Sequence, residues 1–95
     1  MFARVVRFSD VTPERVEEIL RRIDESNGPP PGVPATGLQV LVDEDQGTAV
    51  VVQLFDSAED LRAGEQVFTA MDSSETPGVR ASVDRCEVKR DLRMT

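Results

Sequence analysis

Residues 48–61, "TAVVVQLFDSAEDL", set an unbroken apolar run directly against a cluster of acids. The first half has the β-branched and aromatic content of a strand. The second half, Ser57 followed by Glu59 and Asp60, is how a helix begins, with Ser57 as cap and Asp60 as a weaker form of the capping-box acid. An antiparallel strand with one wet face alternates apolar with polar residues. Here Ala49, Val51 and Phe55 occupy one parity, and Val50, Val52 and Leu54 occupy the other. Both faces of this strand therefore need cover.

The neighbouring segments show what the cover is. Residues 2–8, "FARVVRF", read as a strand that is also apolar on both parities, with Phe2, Val6 and Phe8 against Ala3 and Val5. "SDVTPERVEEILRRIDES" is a helix signal: Thr12 as N-cap, Pro13 at the first helical position, and Glu14 and Glu17 near the positive end of the dipole. Val16, Ile19, Leu20 and Ile23 recur at helical spacing and are expected to pack inward, with Asn27-Gly28 as the stop. The proline-rich "PPPGVPATG" (29–37) is a stiffened loop, read either as a plain connector or as a rim over a pocket.

"LQVLV" (38–42) is a strand, and "DEDQG" (43–47) is a polar hairpin turn that lacks the further ligands of a calcium loop. In the second helix, 56–71, Ala58, Leu61, Phe68 and Met71 form the inward stripe, which thins at Gly64 and Glu65. Gly64 costs about 1 kcal/mol relative to alanine in a helix interior, so it implies either close helix–sheet approach or space left for a ligand. "DSSETPG" (72–78) is a turn-rich loop. "VRASVDRCEVK" (79–89) is the last strand, with a change of parity that suggests a bulge near Asp84–Arg85.

The order strand, helix, strand, strand, helix, strand has an internal echo. "VVRFSDVTPERV" in the first half parallels "VVQLFDSAEDL" in the second. This is the split βαβ, ferredoxin-like plan: an α+β fold with a four-stranded antiparallel sheet and both helices on one face. Two helices cover one face only. Leaving several large side chains of the other face in water costs about 1.5–3 kcal/mol each relative to burial, and it exposes an adhesive patch. The expected cover is a second copy of the chain, with twofold symmetry as the simplest arrangement.

Composition narrows the function classes. Ninety-five residues are expected to make a single domain, 1–95, and the 39% hydrophobic and 31% charged content is that of an ordinary globular chain. No apolar run reaches the roughly 18 residues of a membrane helix. The opening "MFARVVRFSD" has charges inside its apolar stretch and no small-residue cleavage site, so no signal peptide is expected and the expected location is cytoplasmic. The single cysteine, Cys86, cannot form an intrachain disulfide. A net charge of −7 disfavours nucleic acid as a partner, because the basic residues near the C-terminus are interleaved with acids.

The chain has no His, Trp or Tyr. That removes the usual proton shuttle near neutral pH, histidine-dependent metal and haem sites, and any histidine-activated serine or cysteine nucleophile. No metal or cofactor is expected. Cys86 is read as a small core or edge residue, and Arg4 receives no role.

The residues "FARVVRF", "GVPATGLQVLVDEDQGTAVVVQLFDSAEDL" and the terminal "CEVK" resemble the dimeric α+β barrel superfamily. In particular the chain looks like the small antibiotic-biosynthesis-monooxygenase-like and stress-responsive barrel domains of that superfamily, with Phe55-Asp56-Ser57-Ala58-Glu59 playing the strand-to-helix junction. The resemblance covers the whole chain. It implies a homodimer with a cavity between sheet and helices, in a group that includes cofactor-independent monooxygenases, haem-degrading enzymes and polyketide cyclases. Catalysis in that group tends to use His, Trp, Tyr or Asn. The only Asn here is Asn27, at a helix end, so no catalytic residue carries over, and haem degradation is disfavoured.

Two readings follow. In the first, a small aromatic or apolar ligand sits between helices and sheet, with Phe8, Phe55, Gly64, Phe68 and Met71 as lining and Arg7 or Gln53 as the polar handle. Gln53 interrupts an apolar strand, and Arg7 holds the equivalent place in the echo. Their alternative roles are a seam amide and a salt bridge. In the second reading, the chain is a non-catalytic dimerisation or regulatory module.

Overall fold

The computed structural model describes residues 1–26, 28, 32–70 and 76–92. Its elements run β1 (Phe2–Ser9), α1 (Pro13–Glu25), β2 (Gly37–Asp43), β3 (Thr48–Phe55), α2 (Ala58–Thr69) and β4 (Val79–Glu87). The strands form one sheet in the order β2-β3-β1-β4, every neighbouring pair antiparallel. This is the ferredoxin-like arrangement expected from the element order.

The two strands with apolar side chains on both parities are the two central ones. In β1 and β3, Phe2 lies opposite Phe55, Val6 opposite Val51 and Phe8 opposite Ala49, and these pairs share the face that carries the helices. Ala3 pairs with Leu54 and Val5 with Val52 on the other face. The bulge in β4 falls at Ala81, where Arg7 pairs with Ser82 but Phe8 with Arg80. That is three residues earlier than the parity pattern suggests: from Ser82 to Glu87 the register with β1 is unbroken, so the change of parity reflects Cys86 lying on the far face and not an inserted residue.

Both helices begin as their sequences dictate. Thr12 and Ser57 adopt extended backbone, and their side chains accept from the amides of Arg15 (3.3 Å) and Asp60 (3.1 Å). α1 ends at Glu25 with Ser26 as C-cap, and the expected stop at Asn27 lies outside the described residues. Between β2 and β3, Gly47 takes φ 65°, the left-handed value that closes the hairpin, and its carbonyl accepts from Val11 N–H at 3.0 Å.

The helices differ in how closely they approach the sheet. α2 buries Leu61 and Gly64, which join Phe55 and Val33 in the core, with Phe2, Ala35, Val67 and Phe68 packed around it. α1 buries none of its residues: Val16, Ile19 and Ile23 are half-buried and Leu20 is 40% exposed. The expected inward stripe of α1 thus faces the sheet without closing onto it. No helix is long and apolar enough to cross a membrane.

Candidate functional site

The candidate site is the gap under α1. Its floor is the helix-bearing face of the sheet (Val6 and Phe8 of β1, Val40 of β2, Val51 of β3), its roof Ile19 and Ile23 of α1, and its end wall Val33, Ala35 and Phe68. The cavity is a cleft partly open to solvent, with a volume of about 530 Å³, within the range of small-molecule sites. It exists because Gly64 lets α2 settle onto Phe55, whereas the floor beneath α1 is largely of valine size, so α1 leaves space below it.

One end of the cavity is polar. Register places Arg4 of β1 directly across from Gln53 of β3, both facing the helices. Arg4 is 3% exposed and Gln53 7%. The Arg4 Nε–H donates to Glu65 Oε2 at 3.1 Å, and Nη1 donates to Gln53 Oε1 at 3.1 Å. The guanidinium carbon lies 5.2 Å from the centroid of the Phe68 ring, a cation–π distance. Glu65 is shared, because its Oε1 accepts from Arg85 Nε at 2.8 Å. A buried arginine without such partners is costly; here a carboxylate, an amide and a ring face compensate it.

The charges respond to this packing. Burial pulls the Arg4 pKa below its ordinary value while the Glu65 hydrogen bond and charge oppose that shift. Arginine's ordinary value is high enough that the group remains a cation. Glu65 is held below the usual carboxylate range, first by the hydrogen bond from Arg85 and then by Arg4, with burial acting the other way.

Of the residues singled out by sequence, Phe8, Gln53 and Phe68 line the cavity. Arg7 stands apart: it is exposed on the opposite face, beside Val50 and Ser82, because it is one step out of parity with Phe8. Phe55 is fully buried beneath Gly64, in the core rather than the cavity lining. Gly64 likewise serves close approach rather than open space: a Cβ there would lie 2.8 Å from Phe55 Cε1. Met71 lies outside the described residues.

Sequence reasoning passed over Arg4. The signal was present, since Arg4 interrupts the apolar parity Phe2, Val6, Phe8 just as Gln53 interrupts Ala49, Val51, Phe55. The proline-rich connector contributes to both of its expected roles: Val33 is buried in the core and, with Ala35, borders the cavity.

Other candidate groups lie elsewhere. Cys86 is exposed, on the far face opposite Ala3. The Asp43 carboxylate accepts from Gln46 N at 3.2 Å and Nε2 at 2.7 Å, which commits it to closing the turn. Among the described residues, no group of three or more His, Cys, Asp and Glu is placed to hold a metal ion.

Comparison with protein-family models and with curated proteins finds no match. Among solved structures, the chain matches a crystal structure of the MhuD R26S mutant with two manganese protoporphyrin IX bound per active site. The match covers 99% of this chain and 100% of that one, with a TM-score of 0.62 and 18% sequence identity. At that identity the likeness is one of fold.

Proposed function

We propose that this chain is a small-molecule binding protein of the dimeric α+β barrel type, acting as one domain over residues 1–95. Its ligand is a compact aromatic or apolar molecule held between α1 and the sheet. The observation that carries this reading is a cavity of about 530 Å³ with apolar walls and a polar end built from the buried pair Arg4 and Gln53. A fold that needed only a dimer interface would have no use for a hydrogen-bonded arginine beneath one helix.

Porphyrin, which the structural neighbour binds, fits poorly here. The chain has no His or Tyr, and the described residues around the cavity include neither Cys nor Met, so the donor set offers no axial ligand to a porphyrin metal. Monooxygenase-like activity rests on resemblance alone: the chain has no histidine, and the described residues lining the cavity include no carboxylate to serve as general base.

The reading is tested by fluorescence titration with N-phenyl-1-naphthylamine, an uncharged aromatic probe. Saturable binding to the native chain is expected, with loss of binding in Val51→Trp, which fills the floor, while circular dichroism is retained. Absence of saturation, or equal binding by a folded Val51→Trp, rules the cavity out as the site.

The other face of the sheet supports assembly as a homodimer. Both described helices lie on the cavity side, and on the far side Val5, Val50, Val52 and Leu54 stay half-exposed while Leu41 is 53% exposed. A second copy of the same surface covers this patch symmetrically.

A further inference from the structure

We infer that the ligand of this cavity is an organic monoanion, an apolar body carrying a carboxylate or phenolate that docks against Arg4 and Gln53; the inference rests on the cavity being a binding site. The charge around the cavity is the first reason. The chain carries 18 acids against 11 basic residues, yet among the described residues every charged side chain lining the cavity is an arginine: Arg4, Arg22 and Arg80. Arg4 is paired with Glu65 and Arg22 with Glu18 at 2.9 Å, and Arg80 has no ion-pair partner among the described residues, so the described wall carries an excess of positive charge, which raises the local concentration of anions.

The hydrogen-bond inventory is the second reason. Two of the five N–H donors of Arg4 are spent, one on Glu65 and one on Gln53. Its Nη2 donates to no acceptor among the described residues, and neither does the Gln53 Nε2. No fully buried side-chain nitrogen or oxygen of the described residues lacks a partner, so both groups meet open volume, and the open volume beside them is the cavity. The polar end thus presents two uncommitted donor groups, Arg4 Nη2 and Gln53 Nε2, which favours a ligand with acceptor atoms.

The third reason is rigidity. Glu65 holds Nε, Gln53 holds Nη1 and the Phe68 ring flanks the guanidinium. The free edge of the fork is therefore oriented before any ligand arrives, and little conformational entropy remains to be lost on binding. Glu65 is already shared with the exposed Arg85, so its single negative charge does not neutralise both guanidiniums, and an incoming anion completes the balance.

The test is isothermal titration of the full chain at pH 7 with 2-naphthoate and with 2-naphthamide, its uncharged counterpart of the same shape. The expected result is binding of 2-naphthoate tighter by about tenfold or more, the scale of a hydrogen bond to a charged group over a neutral one. The preference should disappear in Arg4→Met and fall by about two- to threefold in Arg80→Gln, whose side chain is at the surface. Should Arg4→Met fail to fold, the Gln53 side-chain amide resonances of the native chain provide the second readout, shifting with 2-naphthoate and not with chloride. Equal affinity for the two probes, or an unmoved Gln53 amide, overturns the anion assignment while leaving the cavity a binding site. Failure of both probes and of N-phenyl-1-naphthylamine to bind overturns the cavity reading and this inference together.

Discussion

At Gly64 a Cβ would lie 2.8 Å from Phe55 Cε1, 3.1 Å from Cζ and 3.3 Å from Val33 Cγ1. The Phe55 ring is fully buried and has nowhere to move. Alanine gains about 1 kcal/mol in helix propensity, but overpacking a core costs about 1–3 kcal/mol. Gly64→Ala is therefore expected to lower stability, read as a lower urea midpoint at unchanged slope; a higher midpoint would show that close packing is not why glycine stands there. Glu65 gives the second residue-scale prediction. Its folded pKa is lowered, mainly by Arg85, so the unfolded chain takes up the proton first as pH falls. Its contribution is complete above the ordinary glutamate value of about 4.3 and is lost as pH drops through the lower folded value. Glu65→Gln should cost about 1–3 kcal/mol at pH 7, and the difference from the native chain should shrink as the pH falls below about 4.3. A difference that is constant with pH would show that the Arg4–Glu65–Arg85 bridge contributes nothing as an ion network.

The two helices share a capping design but not a packing state. α2 is fixed by Leu61, Gly64 and the Glu65 bridge, whereas α1 buries no residue. Helix amides protected only by a loosely packed face open at low free energy. Hydrogen exchange should therefore be faster in α1 than in α2 by about tenfold or more, and saturating 2-naphthoate should slow α1 selectively. Uniform protection across both helices would contradict the open gap beneath α1. The Thr12 cap matters more for a helix with so little tertiary support. Thr12→Ala is expected to cost about 1 kcal/mol, seen as a lower thermal midpoint.

For the whole molecule, the decisive quantity is apolar surface on the far face of the sheet. Val5, Val50, Val52 and Leu54 lie on central strands, where a lone subunit would keep them wet. Light scattering at micromolar concentration is expected to give twice the mass of the 95-residue chain, and Val52→Lys, which places a charge in the middle of that face, is expected to give the monomer. A monomeric native chain would remove the dimer from the proposal while leaving the cavity, on the opposite face, untouched.

Much of this was written in the chain itself. Strand parity in "TAVVVQLF", the hydroxyl caps Thr12 and Ser57, and the order of elements depend on neighbours one to four residues apart, so local physics determines them, and with them the ferredoxin-like fold. The cavity does not depend on near neighbours. Arg4 and Gln53 are 49 residues apart, and Arg4 and Glu65 are 61. Their meeting depends on strand register and on how far each helix stands from the sheet, quantities fixed only when the whole chain packs. Helix–sheet distance likewise decided between the two readings of Gly64, in favour of close approach. A sequence shows where a polar residue interrupts an apolar face; only the assembled layers decide which interruptions face one another.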